Sequence, residues 1–277
     1  MKKTAIYAIS FAIAIVGGLT SCGGNKTKEA TTEDNTVKTA VLAYSTECNG
    51  EENAEAEFPL DEDGYMVIFD GSGLTGWRGY GKDHVPERWS VSDSCMHFVR
   101  GEGEGGDIMF AHKFDNFDVE FEWKMSEGAN SGFFYLGEET FNPEGKLQYL
   151  CMSAPEYQLL DNVNHPDAKL GVDGNRQSAS LYDMIPAVPQ NSKSWGEWNT
   201  ARVTVKDGKV AHYQNGEKVL EYELWTPEWT ERLQNCKFSE KEWPEAFVLM
   251  NNKHAGHIAF QDHGDEVWIR NVRIKEL

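Results

Sequence analysis

The chain reads as an all-β sandwich, and three observations lead there. Phe117 to Met125 alternates strictly, with Val119, Phe121, Trp123 and Met125 on one side and Asp118, Glu120, Glu122 and Lys124 on the other. That is the period-two pattern of a half-buried antiparallel strand. Asp207-Gly208 and Asn215-Gly216 are hairpin turn pairs that join residues 198–206, 209–214 and 218–223 into a meander. Short strands punctuated by turns recur at intervals of about 8 to 12 residues, with no internal repeat and no long amphipathic helix.

The elements follow in order. Tyr65 to Asp70 is a first strand, closed by Gly71-Ser72-Gly73, and a turn then carries Trp77 toward the core. Residues 89–91 and 96–99 form a hairpin around Ser92-Asp93-Ser94. Gly101 to Gly106 is rich in glycine but lacks a following helix and a Lys-Ser/Thr pair, so it is a mobile turn, not a phosphate loop. Strands are expected at 107–112, 130–136, 156–160, 179–184, 257–262 and 266–275. Residues 162–177 form a long polar loop, a lid or rim for a site. Trp225, Trp229, Leu233 and Cys236 recur near helical spacing, which predicts one short helix.

The N-terminus has a different character. Met1-Lys2-Lys3 precedes an apolar run from Ala5 to Leu19, shorter than the ~20 residues of a spanning helix. Leu19-Thr20-Ser21-Cys22 has the form of a lipobox, so residues 1–21 are expected to be a signal peptide and Cys22 the lipidated N-terminus. Gly23-Gly24-Asn25-Lys26 carries no acidic export signal, which favours the periplasmic side of the cell envelope. Residues 22–63 hold eleven Asp or Glu against three Lys and few large apolar groups, the composition of a flexible tether. The domain is then expected at 64–277.

The net charge of −19 argues against nucleic acid and suits neutral small molecules. The five cysteines show no CxxC spacing, so a structural zinc site is not expected, and sequence does not pair them. The acidic row Asp118, Glu120 and Glu122 is read as a solvated outer face and not as a metal site.

Chemistry concentrates in two strands. In Glu156-Tyr157-Gln158-Leu159-Leu160, Glu156 and Gln158 share a face and Asp161 ends the strand. In His257-Ile258-Ala259-Phe260-Gln261, His257, Ala259 and Gln261 share a face, and His263 stands at the rim. Glu156 and Asp161 could be a glycosidase carboxylate pair. However, five extended residues separate them by roughly 16 Å, which disfavours that mechanism.

The motif order carries a resemblance. Phe69-Asp70-Gly71, Leu74-Thr75-Gly76-Trp77, Asn130-Ser131-Gly132, Glu156 to Asp161, Gly196-Glu197-Trp198-Asn199, Asn215-Gly216, Gln261-Asp262-His263-Gly264 and Arg270-Asn271-Val272 together resemble the 3-keto-disaccharide hydrolase domain family, over residues 65–277. Leu136 departs from the arginine many members carry there. The resemblance implies a concanavalin A-like jelly-roll sandwich of two curved antiparallel sheets with a ligand groove on the concave face. It also implies cleavage of glycosides already oxidised to a ketone at C3.

A 3-keto group acidifies the C2 proton, so a base can remove it and the aglycone can leave by elimination; water added later makes the outcome hydrolytic. On this reading Glu156 and His263 are the catalytic groups. Gln158, Asp161, Tyr157 and Gln261 are substrate contacts, and Glu156, His263 and His257 are candidate ligands for a divalent metal ion of unspecified identity. Tyr135, Tyr157, Tyr182 and Trp195 are candidates for stacking on a sugar. For Glu156 the structural alternative is an ion pair with Arg202 or Arg270; for His263 it is a turn histidine; for Asp161, a turn-forming residue; for His257, a solvent-facing strand residue. The functional alternatives are a lectin-like binding module and a conventional endoglucanase.

Overall fold

The computed structural model describes residues 37–277. The expected signal peptide and Cys22 lie outside them. The strands are β1 (Thr39–Tyr44), β2 (Ala54–Pro59), β3 (Met66–Phe69), β4 (Trp77–Gly79), β5 (Trp89–Ser92), β6 (Cys95–Phe98), β7 (Ile108–Phe110), β8 (Phe117–Met125), β9 (Asn130–Gly137), β10 (Glu156–Leu160), β11 (Asn199–Lys206), β12 (Lys209–Gln214), β13 (Glu217–Glu223), β14 (His257–Phe260) and β15 (Val267–Glu276). Two helices, α1 (Pro227–Gln234) and α2 (Pro244–Asn251), lie between β13 and β14.

The strands form the expected all-β, jelly-roll sandwich. One sheet runs β10-β9-β14-β7-β4 and the other β13-β12-β11-β8-β15-β6-β5, with β3 on β15. All the pairings are antiparallel. The alternation in β8 decides the layering. Val119, Phe121, Trp123 and Met125 are buried. Phe121 meets Phe133, Phe260 and Tyr157 of the opposite sheet at ring separations of 4.7, 5.1 and 6.3 Å. The acidic row faces outward and is committed to arginines: Asp118 to Arg202, Glu120 to Arg273 and Glu122 to Arg270. A hollow of about 480 Å³ lies over this row, and its carboxylates are already paired. We place no active site there.

The interior is not wholly apolar. His212 Nδ1 lies 2.9 Å from the Ala179 carbonyl, so it carries the proton and donates. Nε2 is then the acceptor for the Tyr135 hydroxyl at 2.7 Å, and Tyr222 donates to Tyr135. His212, Tyr135 and Tyr222 thereby each have a partner.

Three expectations are corrected. The tether boundary at residue 63 fails, because β1 and β2 pair as a hairpin whose Leu42 and Phe58 are buried in the core. Phe58 meets Phe110 edge-on at 5.6 Å. The acidic Glu55 and Glu57 point outward, so the polar composition belongs to one face only. The expected strand at 179–184 reduces to bridges from Leu181 to Tyr157 and Ile185. Ala179 and Asp183 adopt φ of 64° and 63°, which breaks an extended run. Finally, α1 is accompanied by a second helix. In α1, Thr226 caps Trp229 N at 3.1 Å and Pro227 starts the turn. α2 also begins at a proline, but it buries only Ala246 and Met250, too little apolar pattern to be seen in sequence.

Among the described residues the four cysteines Cys48, Cys95, Cys151 and Cys236 are free thiols. No helix among them is long and apolar enough to cross a membrane.

Candidate active site

Strand register determines which side chains share the outer face of the five-stranded sheet. Glu156 lies opposite Phe134, Gln158 opposite Gly132 and Leu160 opposite Asn130. Directly opposed residues point the same way, so Glu156, Gln158, Asn130 and the gap at Gly132 share one face. On β14, Ala259 aligns with Phe134, and Gln261 N donates to Gly132 O at 2.9 Å, which sets Gln261 on that face too. On β7, Met109 pairs with Ala259, and Asp107 has the same parity. The result is a polar row beside an apolar floor of Phe134, Met109 and Ala259, packed against Tyr80, Leu150 and Ala154.

Glu156 is the centre of the row. It is 6% exposed, and among the described residues no hydrogen bond reaches its carboxyl. Burial pushes its pKa up to about 8; Lys237 pulls it down, while Asp107 and Asp167 add to the rise. Neither Arg202 nor Arg270 pairs with it, so the ion-pair alternative does not hold. Gly132 makes its room: a Cβ there would overlap Glu156 Oε1 and stand 2.9 Å from its Cδ.

Along the row from it lie polar atoms without partners among the described residues: both amide atoms of Gln158, Oε1 of Gln261 and, at the far end, Oδ1 of Asn130 are buried and unbonded. Such orphans are costly in a folded protein unless a ligand completes them. Asp107 accepts from Asp262 N at 2.8 Å through one oxygen. Burial and then the Asp262 charge raise it to about 7, against that hydrogen bond.

The loop from Asn162 to Gln190 and the segment after α1 wall the row. Tyr182 N donates to Glu156 O at 3.1 Å, and its hydroxyl donates to Asp167 at 2.9 Å. Arg176 pairs with Asp167 and Asp183. Lys237 lays its ammonium 4.2 Å from the Tyr182 ring centroid. Residues 162–177, expected to be a lid or rim, place Asp167 and Arg176 against Tyr182.

The structure sorts the remaining expected site residues. Gln158 and Gln261 join Glu156. Tyr157 does not: it points into the core, where its hydroxyl donates to Tyr213 O at 3.1 Å. Tyr135 is equally internal. Of the stacking candidates Tyr182 stands against the row, and Trp195 is exposed. Asp161 is a turn residue, accepting from Gly128 N, Val163 N, and the backbone and side-chain nitrogens of Asn164. Burial opposes ionisation of Asp161, but these bonds hold its carboxyl below the usual range.

His263 is exposed at the far end of the row, 3.4 Å from Asn130 Nδ2 and beside the His165 ring. Asn130 lies opposite Leu160, four residues and about 13 Å along β10 from Glu156. The structure therefore does not bring Glu156 and His263 together. His257 is buried elsewhere, with Nδ1 donating to Phe110 O and His112 O, both at 3.1 Å. Burial foremost lowers it to about 4, so it is neutral. As a shared metal site the three residues fail on separation, and among the described residues no group of three His, Cys, Asp or Glu converges on one point.

Asp107, Asn130 and Lys237 were not assigned roles from sequence. Strand parity with Met109 and Gly132 marks the first two. Lys237 lies in an irregular segment and has no such signal.

Comparison with known proteins agrees with this picture. Residues 64–275 match the model of the 3-keto-alpha-glucoside-1,2-lyase-like domain. A 3-keto-disaccharide hydrolase of Bacteroides thetaiotaomicron is 50% identical, with all of both chains covered. A crystal structure of a proposed glycosyl hydrolase from Parabacteroides distasonis is 32% identical, with a TM-score of 0.67, over 79% of this chain and 98% of that one. Another from the same organism, 23% identical with a TM-score of 0.55 over 77% and 99% of the two chains, shares the fold. The chain belongs to the 3-keto-alpha-glucoside-1,2-lyase-like domain family and is a hydrolase.

Proposed function

We propose that this protein cleaves glycosides that carry a ketone at C3, by proton transfer at C2 and elimination of the C1 aglycone. The observation that carries the reading is Glu156: a buried carboxyl with no hydrogen-bond or ion-pair partner among the described residues, raised to about 8, on the same face as the orphaned amide of Gln158. A structural carboxylate would be paired. A base poised near working pH needs this environment. The full-length likeness to a 3-keto-disaccharide hydrolase supports the substrate class.

The Glu156 carboxylate takes the C2 proton, and the C–H electron pair becomes the enolate of C3. Collapse of the enolate forms the C1–C2 double bond and expels the aglycone oxygen with its electrons. A water molecule supplies the proton for that oxygen. The hydroxide left from that water adds to C1 of the double bond, while Glu156 returns its proton to C2; the aglycone has taken one hydrogen of water and C1 the OH, so the sum is hydrolysis. Gln158, Asn130 and Gln261 hydrogen-bond the sugar hydroxyls. Among the described residues no three His, Cys, Asp or Glu side chains come together to hold a metal ion, and no step here runs through one.

Purified protein incubated with a 3-keto-glucoside should release the aglycone, and Glu156→Gln should lower kcat by about 10²- to 10⁴-fold. No release by the wild type overturns the substrate; undiminished turnover by Glu156→Gln overturns the site. We further propose that the chain is lipid-anchored through Cys22 on the periplasmic side of the envelope, with carbohydrate as its ligand and no nucleic-acid role. Cys22→Ser should then move the protein from the membrane fraction to the soluble one.

A further inference from the structure

We propose that the Lys237 ammonium is the electrophile of the reaction, holding the C3 oxygen as it becomes an enolate. The proposal rests on the 3-keto reading of the Glu156 site and names a group that reading leaves without a task. Lys237 is a cation in a strongly acidic protein, yet among the described residues no carboxylate lies within ion-pair distance of its ammonium. Other lysines, such as Lys124 and Lys253, also lie over aromatic rings without an ion pair among the described residues, and what sets Lys237 apart is that its charge acts on Glu156. Its position is nonetheless fixed. Its backbone N donates to Asp183 Oδ2 at 2.9 Å, and its Nζ stands 4.2 Å from the Tyr182 ring centroid and 4.8 Å from that of Phe238.

Tyr182 links it to the catalytic strand, because Tyr182 N donates to Glu156 O at 3.1 Å. The ring is itself held rigid, its hydroxyl on Asp167 and the Arg176 guanidinium 5.4 Å from its centroid. Asp167 and Asp183, the nearby acids of this loop, are both taken by Arg176. The Coulomb influence of Lys237 falls instead on Glu156.

The chemistry asks for such a group. Before the reaction the negative charge is on Glu156. After proton transfer Glu156 is neutral and the charge is on the C3 oxygen. A cation held within the field of both loses nothing on that transfer, because the charge it faces moves without leaving it. Held on aromatic rings, it is already partly stripped of water, which strengthens its pull on an oxyanion.

The test is the pH dependence of 3-keto-glucoside cleavage by Lys237→Gln and Lys237→Arg, with the wild type and Glu156→Gln alongside. The charged and titratable groups that set the profile are Glu156 on β10, Asp107 before β7, Cys151, and Asp167, Arg176, Tyr182 and Asp183 of the loop. Removing the cation should shift the rising limb of kcat/KM to higher pH and also lower plateau kcat by about 10²-fold. Lys237→Arg should restore a substantial part. A shifted limb with a full plateau, or an unchanged profile, overturns the proposal, since Lys237 would then only tune Glu156 or do nothing. An inactive wild type overturns the substrate reading instead. Lys237 is only half-buried, and an unchanged melting temperature separates lost chemistry from lost fold.

Discussion

Gly132 sets the space in which Glu156 sits, and the two residues face each other through Gln158's neighbouring rung. The backbone at Gly132 is ordinary strand, with no left-handed φ, so alanine is tolerated conformationally. Its methyl group, however, would occupy the position of Glu156 Oε1. Gly132→Ala should therefore leave the melting temperature within a few degrees of wild type while cutting turnover at least about tenfold, since small displacements of a catalytic group are costly. Circular dichroism melts and aglycone release check the two halves. Glu156 and Gln158 were legible in the sequence because period two puts them together. The sequence alone could not show that His263 belongs to the far end of the row, because register across β9 fixes that distance.

At the scale of elements, the β1–β2 hairpin is the part that composition concealed. Its outward face is acidic enough to pass for a tether, while Leu42 and Phe58 on the other side complete the core. The link extends past packing. The turn between the strands reaches Glu139, which accepts from Asn49 N and pairs with Arg78, both members buried. Phe58→Ala should cost about 3–5 kcal/mol in chemical denaturation; a tether residue would cost nothing. The strands that β8 and β11 to β13 form were readable from alternation and turn pairs. The roof over the site was not, since Tyr182 and Lys237 lie in loops whose conformation follows from ion pairs and not from any period.

For the molecule as a whole, burial of titratable groups gives the stability curve two opposed slopes. His212 and His257 are both lowered to about 4, chiefly by burial. The unfolded chain binds their protons first, so their contribution is present above pH 6.5 and is lost as pH falls toward 4. Glu156 works the other way. Its folded pKa of about 8 lies above the ordinary 4.5, so the folded state binds the proton more tightly, and stability declines as pH rises from 4.5 to 8. Glu156→Gln should remove that decline: it should melt higher than wild type at pH 8, with the difference shrinking toward pH 4.5. A constant difference across this range would show that Glu156 titrates normally. The fold class and layer order were legible in sequence because they depend on local alternation. The buried charges depend on which loops close over them, and only the folded chain shows that.

β10, which carries Glu156, is the last strand of its sheet. Its free edge is taken up by residues 179–182: Ala179 N donates to Gln158 O, Gln158 N to Ser180 O, and Tyr182 N to Glu156 O. An uncovered edge of this kind invites strands from other molecules. The cover that forms one wall of the site is therefore also what keeps the protein from self-association, and changes that loosen it for the sake of a larger substrate will be limited first by solubility.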